Sequence, residues 1–451
     1  MTHANSDFSQ GSVRSNILRL ALPMTLAQLI NLLYNIVDRI FVGHIPGADT
    51  APFTGMGVTL PIITIIIAFA NLFGTGGAPL FSMARGAGDT DRAGRILGNV
   101  FSMLMASGVV LMAAIYLLKR PLLYLFGASD ETFAYADAYL SIYLLGTLFV
   151  MVSLGLNGFI NAQGFAVTGM LTVSIGAVLN LILDPVFIFL LQLGVRGAAI
   201  ATVISQCVSA LWVLRFLTGK QAIIPLVKEN LKVQWRLVAD ICKLGLAGFI
   251  MAITNSSVQI VCNATLLAWG GDLYVAIMIA LNSVREILMM PMQGLSSGAQ
   301  PVMSFNYGAK QYGRVKTAIR YTTMVCVIYS LAAWAVLLAF PRFFIHLFNS
   351  DPALLENGVP AMHIYFFGIF LMALQMAGQS AFTALGRSKH AIFFSLLRKA
   401  IIVIPLTLWL PTVGGLGTNG VFLAEPISNL VGGVACFTTM VFTVRKMLRE
   451  E

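Results

Sequence analysis

Eight charged residues fall inside long apolar runs of the chain: Asp38, Arg39, Asp184, Arg285, Glu286, Arg398, Lys399 and Glu425. A charge in hydrocarbon costs about 3 kcal/mol or more, so one that is kept there is a candidate for binding or moving something. Asp38 and Asp184 are the most informative. Tyr34 precedes the first by one helical turn and Asn180 precedes the second by one turn, so each pair shares a helix face. Pro185 has no N–H, and the carbonyl of Leu181 therefore loses its helical partner and becomes a ligand for a cation or a water. Two carboxylates brought together in low dielectric repel each other, and a shared proton or a bound sodium ion relieves the repulsion. A coupling-ion site needs this chemistry. Its candidate residues are Asp38, Asn180, Asp184, Thr202 and Tyr34, with H+ or Na+ as the ion. The plainer alternative is that Asp38 pairs with Arg39 and Asp184 only hydrogen-bonds a neighbouring helix.

The charges in the second half read differently. Glu286 and Arg398 fall near mid-membrane and Glu425 lies outward of them, so Arg398 is expected to pair with Glu286 or Glu425, either as a fixed ion pair or as one that re-pairs. Arg285 and Glu286 are adjacent, point about 100° apart and cannot both face one site. Lys399 and Arg285 have stems long enough to snorkel. Met289, Met290, Met292 and Gln293 flank Pro291. Flexible thioethers suit a pocket that accepts many lipophilic shapes, so these four, with Glu286 and Arg398, are the candidate lining of a substrate cavity.

These residues must be positioned by membrane-spanning helices. The chain is 58% hydrophobic and 10% charged over 451 residues, against roughly 25% charged in soluble domains. A span needs about 20 apolar residues, and twelve runs qualify: 16–43, 53–83, 96–118, 134–158, 169–193, 197–217, 237–268, 273–303, 316–340, 358–385, 389–411 and 418–443. With the N-terminus inside, twenty Lys and Arg fall on the inner side and four on the outer, the other four of the 28 being intramembrane. Both termini are then cytoplasmic, and the net charge of +10 is a topology signal rather than a sign of nucleic-acid binding. In that orientation Asp38, Asp184 and Thr202 lie roughly 8, 13 and 8 Å from the outer ends of their helices at 1.5 Å per residue.

The chain also repeats itself. Pro79, Ser82, Gly86, Ala87 and Arg92 match Pro301, Ser304, Gly308, Ala309 and Arg314, and Ala162 and Gly164 match Ala384 and Gly386, all at an offset of 222. Leu20, Leu22 and Asn31 match Leu244, Leu246 and Asn255 at an offset of 224. Six helices separate the copies, so the halves are parallel repeats about an axis along the membrane normal, an architecture that binds substrate between its halves. The expected division is an N-lobe over 1–217, a linker over 218–236 and a C-lobe over 237–451. The sequence has no Gly-x-x-x-x-Gly-Lys-Ser/Thr loop, no channel-filter motif and no convincing catalytic or metal-binding cluster. The five Cys lie far apart in apolar runs and read as buried hydrophobes. The expectation is a non-enzyme driven by an ion gradient.

Asn180–Asp184–Pro185 resembles the Asn-x-x-x-Asp-Pro segment of the multidrug and toxic compound extrusion (MATE) family. Leu22–Pro23 with Asp38, the Gly86–Ala87–Gly88–Asp89 loop and its echo Gly308–Ala309–Lys310 are similar to that family too, in its DinF-like and MepA-like bacterial branch. The resemblance implies an all-α protein of two six-helix bundles in a V around a central cavity. It also implies proton- or sodium-driven antiport of small lipophilic or cationic compounds, with a cation site matching Asp38, Asn180, Asp184 and Thr202. The acids that another branch carries in its seventh and tenth spans are replaced here by Asn255, Gln259 and Asn263 and by His363, Gln375 and Gln379, which favours coupling in the first half. The alternatives are a lipid-linked oligosaccharide flippase of the same superfamily, which needs more Arg and Lys in its cavity, and a major facilitator antiporter, whose loop signature Asp91-Arg92-Ala93-Gly94-Arg95 only partly matches. The expected partners are small-molecule drugs or metabolites and the lipid bilayer. A monomer in the cell inner membrane is expected, with no cofactor beyond the coupling ion.

Overall fold

The structure is a computed structural model in which residues 7–43, 51–347 and 352–448 are described, without the side chains of Asn35, Arg39, Ile40 and Phe53. Arg39 and the terminal Arg449, both weighed in the sequence, thus lie outside what is described. Among the described residues every regular element is helical. Nine helices among the described residues are long and apolar enough to cross a membrane, and two bent pairs each make one further span. The 74-residue helix Trp235–Gly308 breaks at Gly271 (φ 70°), where only a glycine adopts the backbone readily. It therefore supplies two spans, which brings the total to twelve. The surface suits lipid: Leu117, Leu190 and Ile260 are 82%, 76% and 70% exposed, an exposure that would favour aggregation in water.

Two of the expected single spans are bent. The run 134–158 is α4 (Asp130–Leu145) and α5 (Thr147–Ala162), which meet at 58°. The run 358–385 is α11 (Pro352–Tyr365) and α12 (Phe370–Ala384), which meet at 50° beside Gly368, whose φ is 73°. Apolar periodicity runs unbroken through both bends, so hydropathy alone does not locate them.

The chain packs as two compact units. Leu22–Gly245, with Asp7 and Phe8, forms the first, and Ser9–Ala21 with the chain from Leu246 onward forms the second. The helix α1 (Val13–Gly43) therefore contributes its first turns to one unit and its remainder to the other.

In the first unit α2 (Ala51–Gly86) and α3 (Thr90–Leu125) pack with α5 around Phe81 and Phe159, whose rings meet edge to face at 5.3 Å. Small residues let the backbones touch. A side chain on Gly245 would strike the Leu72 carbonyl of α2, and one on Gly76 would strike the Ile241 carbonyl. The remaining helices of this unit are α6 (Ala166–Pro185) and α7 (Gly194–Leu217).

The second unit holds most of α8 (Trp235–Gly308), followed by α9 (Tyr312–Ala339), α10 (Pro341–His346), α11, α12, α13 (Ser388–Leu396), α14 (Ile404–Trp409) and α15 (Thr418–Met447). The internal repeat is visible in the backbone. Gly88 and Lys310, 222 positions apart, both have positive φ (76° and 57°), and so do Gly164 and Gly386 (93° and 70°). The matched carbonyls of Ala162 and Ala384, 222 positions apart, have different partners: Arg85 donates to Ala162 O at 2.8 Å in one half, and Ser304 Oγ donates to Ala384 O at 2.8 Å in the other.

Candidate functional site

Asp184 owes its setting to the proline that follows it. Pro185 has no N–H to continue the α-helical ladder, and the chain passes into a π turn, Val186–Leu190, closed by the Leu191 N–H donating to Val186 O at 2.9 Å. Short π segments of this kind recur at functional sites. The Asp184 side chain is fully buried. Oriented so that both its ends are satisfied, the Asn180 amide donates to Asp184 Oδ2 at 2.6 Å, and its oxygen accepts from the Thr202 N–H at 3.2 Å. Asp184 Oδ1 meets no donor.

The second carboxyl comes from α1. Asp38 is 7% exposed, and its carboxyl lies at hydrogen-bonding reach of Asp184. Ionised carboxylates are acceptors only, so a contact between two of them requires a proton or a cation to bridge it. Tyr34, one turn before Asp38, is half-buried. It acts electrostatically on both carboxyls and shares a hydrogen bond with Thr202. The Thr202 hydroxyl donates to the Ala198 carbonyl at 3.0 Å, which leaves its lone pairs to accept.

The five residues singled out in the sequence thus converge inside the first unit. Two further members come from α4. Tyr139 and Tyr143 are buried, their rings stack at 6.1 Å, and the Tyr139 hydroxyl shares a hydrogen bond with Thr202 and faces Asp38. Their role is hard to see in the sequence, because an uncharged aromatic in an apolar run reads as packing. The one local signal is a pair of phenols one helical turn apart. Beside the cluster lies a cavity of about 220 Å³, lined by Tyr34 and Asn180 together with Gln28, Asn31, Asn157 and Met170 among others.

The second unit gathers charge around one carboxylate. Arg398 Nη1 lies 3.2 Å from Glu425 Oε1 and 2.8 Å from Asn429 Oδ1. Lys399 Nζ lies 3.0 and 3.2 Å from the two Glu425 oxygens, and Arg285 Nη1 lies 3.5 Å from Oε1. One sequence expectation is narrowed here and one is corrected. Of the two partners expected for Arg398, it pairs with Glu425, and the Glu286 side chain is exposed. Lys399 does not snorkel: its side chain is 3% exposed, and Arg285 likewise turns inward to Glu425. Adjacent residues on an α-helix diverge, but Arg398 and Lys399 sit in a π segment, Leu397–Val403, closed by the Ile404 N–H donating to Lys399 O and followed by Pro405. The wider π turn lets both side chains reach the same acid. Gly432 of α15 leaves room for Arg398, since a Cβ there would lie 3.1 Å from Arg398 Cγ.

Of the residues expected to line a substrate cavity, Met289 and Met292 are buried against Tyr329, Ser330 and Ile369, Met290 is half-buried and Gln293 is exposed. They do not gather with Arg398 at one site.

A MatE family match covers residues 23–186 and, separately, 247–409, so each half carries one copy of the same unit. The multidrug export protein MepA of Staphylococcus saprophyticus is 24% identical over 448 residues, spanning 98% of this chain and 97% of that protein. MepA of Staphylococcus haemolyticus is 26% identical over 413 residues, covering 91% and 89%. A solved MATE structure in the bent conformation superposes with a TM-score of 0.93 at 22% identity, covering 99% of this chain and 98% of that one. The doubled match, full-length relatives and shared helical architecture make this chain a member of the MATE family of multi-pass membrane transporters.

Proposed function

We propose that this transporter, whose MepA relatives are named for multidrug export, exports small lipophilic or cationic compounds by exchange against an inward flow of protons or sodium ions. The observation that carries the reading is the contact between the Asp38 and Asp184 carboxyls, buried in one unit and next to a cavity. Such a pair holds a positive charge when bridged and repels itself when not, so its occupancy can be coupled to a change of shape. Tyr34 and Asn180 belong both to the carboxylate cluster and to the cavity wall. A compound entering the cavity therefore meets groups that the bridging cation also needs, which gives a direct route to exchange. The Lys and Arg distribution supports cytoplasmic termini, which places the cluster toward the outer side.

The test is transport by the reconstituted full-length chain in vesicles under separately imposed pH and sodium gradients. One of the two gradients is expected to drive dye efflux. Asp184→Asn is expected to insert and fold but to lose that response. Full gradient-driven export by Asp184→Asn, or export that needs ATP, overturns the reading.

A further inference from the structure

The cluster around Glu425 holds more positive than negative charge. The ionisable groups acting on it are Arg285, Arg398 and Lys399, with Glu286 acting on Arg285 and with Tyr365 and Cys262 as uncharged neighbours. Glu286 is exposed, so in the interior three cations face a single carboxylate. Ion groups withdrawn from water are destabilising unless they are paired, and a surplus of one sign invites a counter-ion.

The hydrogen-bond donors show where that counter-ion fits. Arg398 is directed at Glu425 and Asn429. Arg285 and Lys399 meet Glu425 too, but they also line a pocket of about 20 Å³, whose wall carries Asn255, Gln259, Asn282 and Glu425 itself. Asn282 Oδ1 accepts from the Tyr365 hydroxyl at 3.0 Å, so the Asn282 amino group remains as an N–H donor. A pocket of that volume holds one water-sized object. A halide or the tip of a carboxylate fits it, and a diphosphate does not.

We propose that the second unit binds a single monovalent anionic group in the pocket between Arg285, Lys399 and Asn282, supplied either by a free halide or by the carboxylate of a transported compound. The site shares no residue with the Asp38–Asp184 cluster and needs no gradient to fill, so it stands or falls separately from the coupling mechanism.

The experiment is thermal unfolding of the purified full-length chain at constant ionic strength, with the sodium salt of a bulky sulfonate replaced stepwise by sodium chloride, benzoate or pyrophosphate. Chloride or benzoate is expected to raise the unfolding midpoint saturably. Arg285→Gln is expected to raise the half-saturating concentration at least tenfold, and Asp184→Asn to leave it unchanged. Protection by benzoate alone assigns the site to a carboxylate on the transported compound, and protection by chloride alone assigns it to the free ion. Should Arg285→Gln fail to fold, Asn282→Leu is expected to weaken protection in the same way. No ion-specific protection of the unaltered chain overturns the proposal. Stronger protection by pyrophosphate, or protection untouched by both substitutions, overturns it as well.

Discussion

The Asn180 amide donates to Asp184 Oδ2 at 2.6 Å from one turn earlier on α6, which leaves Asp184 Oδ1 as the oxygen without a donor. The amide oxygen is held in turn by the Thr202 N–H at 3.2 Å. The open oxygen is thus fixed by a chain running from α7 through Asn180 to the carboxylate.

Asn180→Ala removes that support. A hydrogen bond to a charged group is worth about 1.5–3 kcal/mol, so gradient-driven export at limiting ion concentration is expected to fall roughly ten- to a hundredfold. The same variant should keep its unfolding midpoint to within a few degrees. Titration of transport against the coupling ion checks both the size and the site of the effect.

Tyr139→Phe keeps the stacked ring and deletes only the hydroxyl that meets Thr202. The loss of one neutral hydrogen bond, about 1 kcal/mol, should weaken the apparent affinity for the coupling ion roughly fivefold. Tyr143→Phe serves as the control, because the hydrogen bond to Thr202 belongs to Tyr139 and Tyr34. Equal effects from both would show that the phenols matter for packing alone.

Glu425→Gln leaves Arg285, Arg398 and Lys399 without the carboxylate on which they converge. Breaking a buried ion pair from one side costs about 3–5 kcal/mol. A sharp drop in folded yield and in unfolding midpoint is expected, with partial recovery in the double variant Glu425→Gln, Lys399→Met. Fluorescence-detected size exclusion after heating measures both.

Gly245→Leu forces a side chain into the Leu72 carbonyl at the contact between α8 and α2. Overpacking of this kind costs about 1–3 kcal/mol. The cost should be larger here, because the colliding atom is backbone and cannot rotate away. Gly313→Leu, at a position where an added Cβ meets nothing, is the neutral comparison.

Much of the site was legible in the residues themselves. Asp38 and Asp184 stood out because charge is rare in apolar runs, and Asn180 and Tyr34 followed from helical spacing. Tyr139 and Tyr143 stayed hidden because nothing in the run 134–158 shows which face of α4 turns toward Asp38. Lys399 misled in a different way: its long stem reads as one that snorkels, whereas the π segment before Pro405 turns it, with Arg398, onto Glu425.

The sequence by itself determined the number of spans, the internal duplication and the identity of the scarce intramembrane charges, because lipid penalises every polar group that lacks a purpose and so makes each one conspicuous. The tertiary structure alone decided which of those charges meet. Side-chain partners between helices depend on helix rotation, on bends such as the one at Gly368 and on the extra residue in a π turn. These are set by packing across the whole unit, and no local pattern records them.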